Sequence, residues 1–121
     1  MRPALQIHGP VSRGAFAVVV LISLAVLFAP ASDVPGAPPG VDKIVHATLF
    51  AALALSGRWA GIGRGGLGAA LVVYAAASEV IQGLTPLERS ASVFDWLADV
   101  VGVLLGLALF AALARRRHPA R

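Results

Sequence analysis

Four short polar clusters in this chain combine residue types that can do chemistry. Asp42, Lys43 and His46 come first, then Glu79 and Gln82, then Arg89, and last Asp95 and Asp99. An imidazole beside carboxylates can relay a proton or ligate a cation. A lysine can hold an anionic group such as phosphate, and an arginine does so through a bidentate fork. Each cluster lies inside or against a long apolar run. An ionised side chain at bilayer depth costs about 2.5–3.5 kcal/mol on insertion scales, so each is a candidate for function.

The elements that must position these groups follow from composition. In 121 residues, 58% are hydrophobic and 13% charged, against roughly 25% charged in soluble domains. Such a chain cannot cover a water-exposed core, and the expectation is an all-α integral membrane bundle. There are no cysteines, which excludes disulfides and thiolate metal sites. The formal net charge is +4, but the basic residues flank apolar runs and no aromatic-interleaved basic patch exists. That pattern reports membrane orientation and gives no nucleic-acid partner.

Residues 1–14 read as a polar arm carrying Arg2 and Arg13. The 17 uncharged residues 15–31 form the first expected span, about 26 Å long as a helix. A basic start, an apolar middle and Ala29-Pro30-Ala31 also fit a cleavable signal peptide. The Pro/Gly-rich stretch 32–41 cannot continue a helix. Further spans are expected at about 44–60, 66–84 and 93–114, with a basic tail at 115–121. The four spans make one membrane domain over 15–114.

With the N-terminus cytoplasmic, eight basic residues fall inside: Arg2, Arg13, Arg58, Arg64, Arg115, Arg116, Arg117 and Arg121. Only Lys43 and Arg89 fall outside, so the positive-inside rule selects cytoplasmic termini. All six acids then lie in the outer half. At 1.5 Å per residue, Glu79 sits about 7–8 Å and Asp99 about 9 Å from the outer ends of their spans, with His46 about one turn down its own. Three helices thus deliver polar residues to one layer.

Helical faces agree with this. Asp95, Asp99, Gly102 and Gly106 fall within roughly 60° of one another, as a polar stripe over a small-xxx-small pattern for helix packing. Asp42 and His46 share a face, as do Gly68, Ala75, Glu79 and Gln82. Each feature also has a plain structural role open to it. Ser92 and Asp95 fit a capping box at the start of the fourth span, and Lys43 and Arg89 can serve only to neutralise nearby acids. One histidine without paired-histidine spacing assigns no metal and no cofactor.

The run Asp42-Lys43-x-x-His46, Ser78-Glu79-x-x-Gln82, Pro86-x-x-Arg89 and Asp95-x-x-x-Asp99-x-x-Gly102-x-x-x-Gly106 resembles the VanZ-like family of small bacterial membrane proteins. The resemblance covers residues 42–106; at Asp99 that family more often carries Asn. It implies a multi-pass protein of the bacterial cytoplasmic membrane, in a family named for a member associated with glycopeptide (teicoplanin) resistance, with no established reaction. The expected function is an outward-facing polar pocket for a lipid-linked or cell-wall ligand. Its expected residues are Asp42, Lys43, His46, Glu79, Gln82, Arg89, Asp95 and Asp99. A proton- or ion-coupled transporter subunit, and a structural subunit of a membrane complex, are the rival readings.

Overall fold

The computed structural model of the chain describes residues 9–28, 41–84 and 93–117, and these are helical apart from short turns. Four helices follow in order: α1 (Pro10–Leu27), α2 (Val41–Trp59), α3 (Arg64–Leu84) and α4 (Val93–Arg117). Three of them, α1, α3 and α4, are long and apolar enough to cross a membrane. In α2, any 18-residue stretch contains Asp42, Lys43 and Arg58, which lowers its hydropathy. The Arg89 loop and Ser92 lie outside the described residues, as does the segment 29–40.

Local chemistry explains the helix ends. α1 begins at Pro10, earlier than the apolar run alone suggests, because proline at the first helical position has φ preset and no N–H to satisfy. Ser12 Oγ donates to the Gly9 carbonyl at 2.9 Å in that first turn. α2 stops in a Schellman motif. Gly61 has φ 102°, its N–H bonds the Arg58 carbonyl at 3.0 Å, and the Ile62 N–H bonds the Gly57 carbonyl at 3.0 Å. A left-handed residue at that position is disfavoured for any side chain with a Cβ, hence the glycine.

Contacts fix the directions of the helices. Gly102 lies on Ala47 and Gly106 on Ala51, so α2 and α4 run parallel. Gly57 of α2 meets Leu67 of α3 and Phe16 of α1, while Gly68 of α3 meets Leu107 of α4. Both α1 and α3 therefore run opposite to α2 and α4. Arg13, Arg58, Arg64 and the end of α4 gather at one end of the bundle, and His46, Glu79 and Asp99 gather towards the other.

The most extensive interface joins α2 and α4. A Cβ on Gly102 would collide with the backbone carbonyl of Ala47, and one on Gly106 with that of Ala51 and, at 2.8 Å, with the Ala54 methyl. Glycines on one helix and alanines on the other let the two backbones touch, as association between apolar helices in lipid requires. The buried apolar core continues through Leu49, Phe50, Leu53, Leu67, Leu71, Ala75 and Val103, with Leu27 closing it on α1. Phe50 and Tyr74 rings lie 5.7 Å apart, and the Tyr74 hydroxyl shares a 2.9 Å hydrogen bond with Ser23 of α1.

Outside this core the polarity is inverted relative to a soluble protein. Leu21, Ile22, Val73, Val80, Ile81, Phe94, Val101, Leu104, Leu105 and Leu109 are all exposed. Buried serines are satisfied within their own helices, as with Ser56 Oγ on the Ala52 carbonyl at 2.7 Å and Ser78 Oγ on the Ala75 carbonyl at 2.8 Å. An aliphatic exterior with internally satisfied polar groups is the arrangement a bilayer demands.

The glycine contacts give a test. Gly102→Ala and Gly106→Ala are each expected to cost about 1–3 kcal/mol by overpacking. Gly68→Ala, whose new methyl would meet Leu107 Cδ1 at an ordinary 3.5 Å, is expected to be neutral. Thermal unfolding in detergent micelles measures all three, and equal behaviour would refute the close α2–α4 contact.

Candidate functional site

The site is built from one side chain on each of three helices. His46 projects from α2, Glu79 from α3 and Asp99 from α4, and these are the buried ionisable side chains among the described residues. Helix geometry places them level: His46 is five residues into α2, Asp99 six into α4 and Glu79 five before the end of α3. At 1.5 Å per residue each lies about 7–9 Å from the end of its helix. One ligand-capable atom from each of the three falls within 4.8 Å of the other two.

The central contact is between His46 Nδ1 and Asp99 Oδ1, 2.8 Å apart, with side chains 3% and 0% exposed. Its position follows from the small-residue interface: Asp99 and Gly102 are three apart on α4, and His46 is next to Ala47 on α2. Where the backbones touch, the next turn brings imidazole and carboxylate into hydrogen-bond range. The second oxygen of Asp99, Oδ2, is enclosed and has no hydrogen-bond partner among the described residues. Glu79 is 5% exposed, beside Ser78 and one helical turn from Ala75 on the buried face of α3.

A second pair sits one turn nearer the end of the bundle. Lys43 Nζ donates to Asp95 Oδ1 at 3.0 Å, again linking α2 to α4. The lysine side chain is 43% exposed and the aspartate 13%, so this pair forms a partly open rim over the closed cluster. Asp95 lies in the first turn of α4, where a carboxylate also opposes the positive end of the helix dipole. Ser92, expected from the sequence to form a capping box with it, lies outside the described residues.

Gln82 has a different job from its neighbours. Its Nε2 donates to the main-chain carbonyl of Leu27, one of the last carbonyls of α1 left without an intrahelical donor. It thereby ties α3 to the end of α1. Asp42 lies in the first turn of α2, with Lys43 next to it; Arg89 lies outside the described residues. Of the eight residues expected from the sequence, His46, Glu79 and Asp99 come together, Lys43 pairs with Asp95 beside them, and Gln82 turns to the backbone of α1.

Two polar contacts are not foreshadowed by sequence spacing. The Ser23–Tyr74 hydrogen bond docks α1 on α3. At the opposite end, the Arg58 guanidinium lies 4.8 Å from the centre of the Phe110 ring and donates to the Ile62 carbonyl at 2.9 Å. The end of an apolar run suits Arg58 to a membrane interface; the cation–π contact adds a third α2–α4 tie, at that end.

Chemically, the arrangement is a histidine oriented by a carboxylate, with a second carboxylate adjacent. It can hold a proton between its members or bind a cation, and its rim can meet an anionic group. His46→Leu alone is expected to cost about 3–5 kcal/mol by leaving Asp99 buried without its imidazole. The double variant His46→Leu/Asp99→Leu should cost less than the sum of the single changes, which a double-mutant cycle of unfolding in mixed micelles measures. Lys43→Ala, at the open rim, should cost no more than about 1 kcal/mol. Strict additivity of the His46 and Asp99 changes would refute the coupling.

No family model matches the chain, and neither does any curated protein or solved structure, so the site is interpreted from its own geometry.

Proposed function

We propose that this chain is a four-span protein of the bacterial cytoplasmic membrane, with both termini cytoplasmic, whose polar layer faces outward and binds an anionic or polar headgroup of a lipid-linked or cell-wall ligand. The observation that carries the reading is the convergence of His46, Glu79 and Asp99 from three helices under the partly open Lys43–Asp95 rim. Three helices are apolar enough to span by themselves. The fourth span is α2, which needs less apolar surface because its neighbours cover it: Phe50, Leu53, Ala54, Ser56 and Gly57 are all buried.

The basic end of the bundle supports the orientation, since arginine-rich ends stay on the cytoplasmic side. In the outer leaflet the rim lysine can hold a phosphate-like group in exchange for Asp95, with His46 and Glu79 beneath to accept or donate hydrogen bonds. The resemblance of these motifs to the VanZ-like pattern adds a link to the cell envelope and to glycopeptide resistance. A proton path across the bilayer is less favoured, because the buried polar side chains towards the basic end are serines bonded to their own helices.

The cysteine-free chain makes the topology directly testable. Single cysteines at Gly36 and Leu87 should react with a membrane-impermeant maleimide in intact cells, and one at Gly63 should react only after lysis. The reverse pattern would overturn the orientation. For function, a host whose teicoplanin tolerance rises on expression of the chain should lose that gain with Lys43→Ala, Glu79→Gln, Arg89→Ala or Asp95→Asn. Full tolerance in all four variants, at equal membrane abundance, would remove the polar layer from the function.

A further inference from the structure

We propose that His46, Glu79 and Asp99 form a binding site for one divalent first-row transition cation, with one nitrogen and two carboxylate ligands from three helices. The inference stands independently of the headgroup reading above.

Geometry is the first support. Three atoms within 4.8 Å of one another have a common point no more than about 2.8 Å from each. Zinc–nitrogen and zinc–oxygen bonds are about 2.0–2.2 Å long, so small side-chain rotations close the remaining gap. The 2.8 Å between His46 Nδ1 and Asp99 Oδ1 already matches neighbouring ligands around a single ion, which at right angles are about 2.9 Å apart for such bonds.

Charge is the second. Glu79 and Asp99 are both carboxylic acids and both buried, and buried carboxylates are a donor set suited to a cation. The third support is Asp99 Oδ2, fully enclosed and lacking a hydrogen-bond donor among the described residues, as a carboxylate oxygen awaiting a cation would be.

The ligand set defines the class of ion. Imidazole with two carboxylates suits zinc, manganese or ferrous iron, and the absence of cysteine argues against a soft, thiolate-bound metal. Three protein ligands leave coordination positions for water or an anionic oxygen. The helix-local spacings that usually announce such sites are missing here because each ligand comes from a different helix.

The test uses the tag-free 121-residue chain in detergent, with His8→Ala and His118→Ala to remove the tail imidazoles, stripped with a chelator and dialysed against Zn2+ or Mn2+. The expected result is about one bound ion per chain by elemental analysis and a raised unfolding temperature, since an ion held only by the native state stabilises it. Co2+ should give visible ligand-field bands. Glu79→Gln and Asp99→Asn should each weaken binding at least tenfold, while Ser56→Ala, at the other end of α2, should leave it unchanged. No ion above a micelle blank, or equal binding by Glu79→Gln and the parent chain, would overturn the site. Should Asp99→Asn fail to fold, the parent chain's ion count and Co2+ spectrum still decide.

Discussion

The contact between the α2 and α4 backbones is the constraint from which the rest of the arrangement follows. Gly102 and Gly106 have no Cβ, and the facing α2 positions are Ala47, Ala51 and Ala54, so the two helices approach until main-chain atoms touch. Because they run parallel, one register sets every other α2–α4 contact. Asp99 meets His46 a turn above the glycines, Asp95 meets Lys43 a turn above that, and Arg58 meets Phe110 near the opposite end. Apolar association in lipid lacks the hydrophobic driving force available in water, so close packing and these polar ties must supply the stability.

This arrangement gives α2 an unusual position. It is the helix with too many charged residues to pass as a span by composition, yet it touches all three others. The two facts belong together. A helix packed against three others need not be apolar all round, and its polar residues can be spent on partners: Lys43 on Asp95, His46 on Asp99, Arg58 on Phe110 and the Ile62 carbonyl. The strongly apolar helices carry aliphatic side chains on their exposed faces.

The polar layer is small and closed. Its three buried members are held by elements distant in sequence, and the partly exposed Lys43–Asp95 pair lies one turn away. Gln82, from the same face of α3 as Glu79, fastens the end of α1 through the Leu27 carbonyl. The layer is therefore the place where all four helices are tied together. Changes here should affect stability and function at once, which is why conservative variants and coupling measurements are the informative ones.

The sequence by itself determined the helical class, the approximate helix bounds and how far each polar group lies from the end of its helix. Those properties depend on local hydropathy and on the fixed rise of a helix, both readable along one chain. It also singled out the Asp95–Asp99–Gly102–Gly106 stripe, since residues three and four apart must share a face. It could not decide which groups pair. Asp95 was suited to cap α4 without being barred from meeting a cation, and only the α2–α4 register delivered it to Lys43. Gln82 read as part of the polar layer, whereas the approach of α1 turned it to a main-chain carbonyl. Most clearly, the depth arithmetic put His46, Glu79 and Asp99 in one layer, but no spacing in the chain shows that they touch. They are 33 and 20 residues apart, and what joins them is the distance at which three separate helices can pack, a property of the tertiary structure alone.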